Sequence, residues 1–282
     1  MLSSAVMTGI LATYVAAETN SLSVERLIIK DPDLPKNFHN LRVVFISDLH
    51  HGTFSSSKRL RKMVQKINAL EPDLILFGGD YVQTQRKNKN LKHQQASLDE
   101  LTSILQNLTK PTLGMYSVSG NHDHWFGLAK VVAHLQKAGI KTIDNDGVAL
   151  KKGDESIYLS GVGDLWCNQP DLKKALSHRD SQKFTLLLSH QPNFIDTLTK
   201  NDHINFVLAG HTHGGQCQLF GYQPLMPKRF AKWEYISGLI ETPQTRMLVS
   251  PGIGTVLPYF RFFAPPKIHL LVFKRAPRLS KF

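Results

Sequence analysis

The chain has 282 residues, 41% of them hydrophobic and 20% charged, a composition that buries a full core and excludes both a disordered chain and a small disulfide-stapled scaffold. Lys and Arg number 34 against 22 Asp and Glu, a formal net charge of +12, so the surface suits an anionic partner: phosphate ester, nucleic acid or acidic lipid. Cys167 and Cys217 match no CxxC spacing, which argues against a thiolate metal site or a disulfide framework.

In chain order, residues 2–17 are mostly apolar and uncharged; the first charge is Glu18 and the first basic residue Arg26. No positive n-region precedes this run, although Val15-Ala16-Ala17 has the small-residue character of a signal cleavage site. It also falls short of the roughly 20 apolar residues of a spanning helix. A membrane-associating leader over 1–22 and one folded domain over 23–282 are therefore expected, with a cleaved signal or a disordered leader as alternatives. A first strand alternates over 23–30, Pro32 and Pro35 break it, and the β-branched run 41–46 reads as a buried strand. Leu60, Met63, Val64, Ile67 and Leu70 recur at helical spacing behind the cap candidates Ser55-Ser56-Ser57, and Pro72 ends the pattern. A strand over 74–77 stops at Gly78-Gly79-Asp80, and Arg86 to Lys92 is a basic, solvated loop. A helix on Leu98, Leu101, Ile104, Leu105 and Leu108, a strand over 115–119 and a helix over 128–137 complete a βαβαβα series. Beyond Gly139 short strands dominate, at 140–143, 148–150, 157–162, 184–188, 206–209, 247–250 and 268–273, with helical patterning only at 171–177 and 194–198. Without repeats or low-complexity linkers, the economical fold is α/β: two packed sheets flanked by helices.

Five polar clusters each follow directly on a predicted strand: Asp48-Leu49-His50, Gly79-Asp80, Gly120-Asn121-His122-Asp123, Ser189-His190 and Gly210-His211-Thr212-His213. Loops leaving the C-terminal ends of strands in an open α/β architecture converge on one crevice, so these five can meet. Their side chains are oxygen and imidazole donors, suited to Mn²⁺, Fe or Zn²⁺. Asp48, His50, Asp80, Asn121, His190, His211 and His213 are too many ligands for one ion that keeps an open position, which points to two. The i, i+2 spacing of Asp48 with His50, and of His211 with His213, sets both members of a pair on one side of an extended segment.

This pattern resembles the calcineurin-like metallophosphoesterase family, whose blocks DxH, GD, GNH[DE], H and GHxH are all intact between Asp48 and His213, within a likeness extending from about Arg42 to Phe273. The resemblance implies a β sandwich wrapped by helices, a first metal on Asp48, His50 and His213, a second on Asn121, His190 and His211, and Asp80 bridging them. It also implies an enzyme: a dinuclear phosphohydrolase using a metal-activated water, with two divalent ions of which Mn²⁺ leads and Fe or Zn²⁺ are possible. In such a site His122, not needed as a ligand once Asn121 is, is left to face the phosphate and stabilise or protonate the leaving oxygen, and Asp123 is either the carboxylate orienting that imidazole or a turn residue capping the next helix.

Within the family the tokens Ile46-Ser47-Asp48-Leu49-His50, Gly78-Gly79-Asp80-Tyr81, Gly163-Asp164-Leu165-Trp166 and Gly214-Gly215-Gln216 are similar to the bacterial YaeI/YkuE-like phosphodiesterase branch, which includes a UDP-2,3-diacylglucosamine pyrophosphatase of lipid A synthesis. The expected substrate is accordingly a lipid-linked phosphodiester or pyrophosphate, and the expected location is cytoplasmic, peripheral to an anionic inner-membrane surface. Phe220, Tyr222, Leu225, Met226, Phe230 and Trp233 lie beside Lys228, Arg229 and Lys232, and Leu257, Tyr259, Phe260, Arg261 and Phe262 follow later. These residues either grip acyl chains or form a hairpin packed on the second sheet. Relatives often carry Arg-Gly where this chain has Ser250-Pro251-Gly252, which bears on specificity rather than on the metals. The alternatives are a general phosphodiesterase, a nuclease suited to the positive charge but lacking a recognised nucleic-acid module, and a metal-stabilised lipid-binding protein.

Overall fold

A computed structural model of the chain describes residues 4–52, 56–84, 91–167, 169–180, 183–219, 222–224 and 232–278. Ser55, most of the basic loop (Arg86 to Asn90), Phe220, Leu225, Met226, Lys228, Arg229 and Phe230 lie outside the described residues. In chain order the elements are α1 (Ser4–Asn20), β1 (Ser23–Asp31), β2 (Leu41–Ile46), α2 (Ser57–Asn68), β3 (Leu74–Phe77), α3 (Leu91–Leu105), β4 (Met115–Ser117), α4 (Asn121–Phe126), α5 (Leu128–Lys137) and β5 (Ile140–Thr142). There follow β6 (Asp146–Lys152), β7 (Glu155–Gly161), α6 (Leu172–Ala175), β8 (Thr185–Ser189), β9 (Phe206–Ala209), β10 (Gly238–Glu241), β11 (Arg246–Val249) and β12 (Lys267–Arg275).

The strands form two six-stranded sheets, ordered β1-β12-β2-β3-β4-β5 and β10-β11-β9-β8-β7-β6. In the first, β2 to β5 are mutually parallel and β12 is antiparallel to β2. In the second, the central β11, β9, β8 and β7 are parallel, and β10 and β6 close the edges antiparallel. Side-chain alternation explains the layers. Val43, Phe45, Leu271 and Phe273 of one sheet meet Leu159, Leu186, Leu188, Phe206 and Leu208 of the other in the sandwich interior. Val44, Ile46, Ile75 and Phe77 turn outward onto Leu60, Met63 and Ile67 of α2, Leu98 and Leu101 of α3, and Val131 and Leu135 of α5. Leu187, Val207, Met247 and Val249 pack outward against Phe194 and Ile195. Burial on both faces is why these central strands read as continuous apolar runs.

The two-sheet α/β sandwich matches the expected fold class, and several local readings are corrected. The helical pattern at 194–198 is a 3₁₀ turn, Pro192–Thr197, and β4 ends at Ser117 so that Val118 to Gly120 can turn. Residues 91 and 92 belong to α3, and neither α4 nor β10 was expected. Cys167 is exposed and Cys217 buried, both free.

The leader is a helix, exposed at Val6, Met7, Ile10, Leu11 and Tyr14, whose last turn is fastened to the domain. Glu18 accepts the amides of Phe263 (2.9 Å) and Ala264 (2.6 Å), Thr19 Oγ1 accepts the amide of Arg261 (2.8 Å), and Tyr14 packs on the Phe262 and Phe263 rings. No described helix is long and apolar enough to cross a membrane.

Candidate metal centre

Each polar cluster lies just beyond the C-terminal end of a parallel strand: β2, β3 and β4 of the first sheet, β8 and β9 of the second. The ladder outlasts the strands, because the amides of Asp48, His50 and His51 donate to the carbonyls of Gly79 (2.9 Å), Asp80 (3.0 Å) and Tyr81 (2.9 Å). The extended i, i+2 geometry expected for the paired ligands is not found. Asp48, His50, Asp80, His211 and His213 have φ of 52°, 43°, 55°, 71° and 53°, left-handed values that cost an L residue roughly 1–2 kcal/mol each. At Gly120 a side chain would run into the Asp80 carboxylate, and at Gly210 a Cβ would lie 2.5 Å from Asp48 Oδ2.

The side chains converge on one another's lone pairs. His213 Nε2 is 3.0 Å from His50 Nε2 and 3.6 Å from Asp48 Oδ1. Asp80 Oδ2 is 3.4 Å from His50 Nε2 and 3.3 Å from His190 Nε2, and His211 Nδ1 is 3.2 Å from His190 Nε2. The His190 ring is oriented by its Nδ1–H, which donates to Gly78 O at 2.7 Å and leaves Nε2 to face inward. Burial, reinforced by neighbouring imidazoles, holds His50 and His213 well below the ordinary histidine range and pushes His211 down to about 3, so these rings are uncharged bases. Burial also opposes the charge on Asp80, but His190 and His122 beside it hold its carboxyl well below the usual range, whereas burial pushes Asp48 up to about 6. His190 goes the other way: against its burial, the Asp80 and Asp48 carboxylates hold it well above the ordinary range. The uncharged His50 and His213, facing each other at 3.0 Å, are poor hydrogen-bond partners but good ligands. Atoms about 2.0–2.2 Å from a common ion lie about 3.0–3.5 Å apart.

Two neighbouring groups of this kind, Asp48 with His50 and His213, and Asp80 with His190 and His211, could each hold an ion, and a third, His50 with Asp80 and His122, lies between them. Asn121 is buried, and its Oδ1 has no hydrogen-bond partner among the described residues. The donor set therefore fits a dinuclear divalent centre.

The model of the calcineurin-like phosphoesterase family matches residues 41–215, from β2 through the last of these ligands. The chain belongs to that family. This phosphoesterase is 31% identical over 261 residues to the metallophosphoesterase YkuE of Bacillus subtilis, a match covering 91% of the chain and 87% of the relative. With a metallophosphoesterase of Helicobacter pylori (strain J99) it shares 32% identity over 244 residues, covering 84% of the chain and 61% of that longer relative. Among solved structures, the calcineurin-like phosphoesterase YfkN from Bacillus subtilis aligns at 12% identity with a TM-score of 0.47, covering 82% of this chain and 90% of that one. Family membership makes the protein a metal-dependent phosphoester hydrolase.

The phosphoesterase has a cavity of about 220 Å³ at this centre, lined by Asp80, Asn121, His122, His211 and His213 and walled by Trp125, Trp166, Val256 and Leu257. His122 stands edge-on to His50, with ring centroids 4.6 Å apart, and its backbone amide donates to Asp80 Oδ1 at 2.8 Å. Asp123 does not orient that imidazole. Its carboxylate accepts the backbone amides of Asp80 (2.8 Å), Tyr81 (2.9 Å) and Gly120 (2.9 Å), so it ties the Asp80 turn to the start of α4. Burial and the Asp80 charge push Asp123 upward, while the three N–H donors favour its ionised form.

Sequence reasoning missed Trp125, whose ring lies 4.8 Å from that of His122, and the use made of Trp166, which stands edge-on to His211 at 4.7 Å. Asp164 fixes the Trp166 turn by accepting the amides of Trp166 and Cys167 and the side chain of Gln191. The Gly163-Asp164-Leu165-Trp166 token was the available signal for Asp164 and Trp166.

Proposed function

We propose that this phosphoesterase hydrolyses a phosphodiester or pyrophosphate bond in an amphiphilic, lipid-linked substrate. Asp48, His50 and His213 would hold one ion and Asn121, His190 and His211 the other, with Asp80 shared by both, and Mn²⁺ leads over Fe and Zn²⁺ for such donors. When bound, the ions supply an activated water and stabilise charge on the phosphoryl oxygens. The chain itself contributes His122, whose ring lines the cavity and whose buried Nδ1 lacks a partner among the described residues, to hydrogen-bond the phosphoryl group or pass a proton to the leaving oxygen. Asp123 keeps Asp80 and the α4 turn in register for that chemistry.

The cavity wall carries the substrate reading. Among the described residues that line it there is no Lys or Arg to meet the extra charge of a phosphomonoester dianion, and Trp125, Trp166, Val256 and Leu257 offer apolar surface to a substituent on the phosphate. Leu257 of that wall is exposed, and so are Phe260, Phe263 and, at 78%, Trp233. This exposure supports the acyl-gripping alternative over a hairpin packed on the second sheet. The apolar helix α1 joins Phe263 through Tyr14 and extends that surface, which supports a membrane-associating segment over 1–22 beside a phosphoesterase domain over 23–282, docked peripherally on the anionic inner membrane from the cytoplasm.

The test compares the Mn²⁺-loaded protein on an aryl phosphodiester and on UDP-2,3-diacylglucosamine in detergent micelles. Trp233→Ala or Phe260→Ala lowers cleavage of the lipid much more than of the aryl ester, because only the lipid draws on remote binding energy. Cleavage of the aryl ester alone would replace the lipid reading with a general phosphodiesterase.

A further inference from the structure

A fully buried arginine lies outside every family block and beside the first ligand group. Arg261 is 0% exposed, and each of its five guanidinium N–H groups donates to a backbone carbonyl: Nε and Nη2 to Gly254 (3.1 and 2.6 Å), Nη2 to Pro251 (2.7 Å), and Nη1 to His213 (3.2 Å) and Ala264 (2.8 Å). No carboxylate hydrogen-bonds it among the described residues; burial pushes it down to about 9.

Apart from Ala264 on its own segment, the carbonyls it gathers belong to the segments that position Asp48 and His213. His213 is one of them. Pro251 and Gly254 flank the turn that seats Asp48: the Ile253 amide donates to Ser47 O (3.1 Å), the Gly254 amide donates to Asp48 O (2.7 Å), and a Cβ on Gly252 would lie 2.7 Å from Asp48 Cβ. Arg261 thus joins a ligand that leaves the first sheet to one that leaves the second. The arginine is itself held from the N-terminal side, where Thr19 accepts its amide and Glu18 accepts the amides two and three residues along, those of Phe263 and Ala264. None of these contacts reaches Asn121, His190 or the Asp80 carboxylate.

We propose that Arg261 is a positioning residue for the Asp48–His50–His213 ion, and that the last turn of α1 holds it in place, so that one of the two metal affinities depends on Glu18 and Thr19 while the other does not. This rests on the dinuclear reading of the centre. Arginine suits the task because its planar fork serves several carbonyls at once; a lysine offers three donors from a single atom and cannot span them.

Calorimetric titration of the metal-free full chain with Co²⁺, followed also by visible absorption, resolves the two binding events. Arg261→Lys, Glu18→Gln and Thr19→Val weaken one event by about 10- to 100-fold, the usual loss when a group that orients a ligand is removed, and leave the other within about twofold. Asp48→Asn marks which event belongs to the first group, and adding Arg261→Lys to it brings little further loss, as expected for groups acting on one ion. A merely structural role predicts equal weakening of both events, and that result overturns the proposal, as does no weakening of either. If Arg261→Lys fails to fold, Thr19→Val decides on the same readout. A wild-type chain that takes up fewer than two ions overturns the dinuclear reading, and the proposal with it.

Discussion

Asp80→Asn keeps the side-chain shape and leaves an acceptor for the His122 amide, which now lies 2.8 Å from Asp80 Oδ1. It removes the one carboxylate whose Oδ2 faces both His50 at 3.4 Å and His190 at 3.3 Å. Losing a group that only orients a ligand weakens metal binding about 10- to 100-fold, so losing a shared ligand is expected to weaken each site at least about 100-fold, equivalent to about 2.7 kcal/mol. With metal at about 100 times the wild-type Kd, binding stabilises the fold by about 2.7 kcal/mol per site, against about 0.4 kcal/mol in the variant. At roughly 2 °C per kcal/mol for a chain of this size, two sites raise the wild-type Tm by roughly 10 °C and the variant by roughly 2 °C. Thermal melts with and without chelator, elemental analysis after gel filtration and aryl phosphodiester hydrolysis should move together. A variant that keeps two ions, or loses only one, refutes the placement of Asp80 between them.

His122→Ala should lower turnover by roughly 10²- to 10⁴-fold with metal content intact; loss of an ion in the elemental analysis would move His122 into the ligand set. Asp123→Asn strands at least one of three amide donors and should reduce stability by about 1–3 kcal/mol in urea melts, with the pH–rate profile unchanged; a shifted profile at unchanged stability would restore its role beside the imidazole. Glu25 is held down to about 2 by His269 and, against its burial, by Lys267, across the β1–β12 pair. Because its folded value lies below the unfolded one, that stabilisation is present above about pH 4.5 and is lost as the pH falls toward 2. Glu25→Gln should therefore cost about 1–2 kcal/mol at pH 7, discounted for its partial exposure, and nothing near pH 2; a penalty persisting there would contradict the pairing.

What the sequence made legible was whatever rests on side-chain type and period. Val43 to Ile46 and Leu186 to Leu188 announce buried strands by composition, and the Asp, Asn and His clusters announce a metal centre by the chemistry of their donors. The backbone conformation at those clusters was not legible, because φ > 0 at His50 or Asp80 is imposed by neighbouring loops and not by residue preference. Asp123 looked like a partner for an imidazole because the two are adjacent in sequence, yet adjacent residues on a helix do not face each other. β10 was missed because its alternate residues are exposed, with Leu239 outward on an edge strand. Arg261 read as one of the aromatic and basic residues of the 257–262 segment, yet it is fully buried and cannot face a lipid; its true role and that of Glu18 left no signal, since each works through main-chain groups that any residue supplies.

The candidate ligands run from Asp48 to His213 and leave both sheets, so neither sheet can assemble the centre by itself. Contacts that far apart in sequence close late in folding. Metal should consequently leave the refolding rate of the chain nearly unchanged and slow its unfolding, the kinetic signature of interactions absent from the transition state. Stopped-flow refolding gives the same rate whether Mn²⁺ is present from the start or added afterwards. The ions then act as a latch on a finished sandwich, and the lifetime of the folded protein, more than its yield, is what a chelator changes.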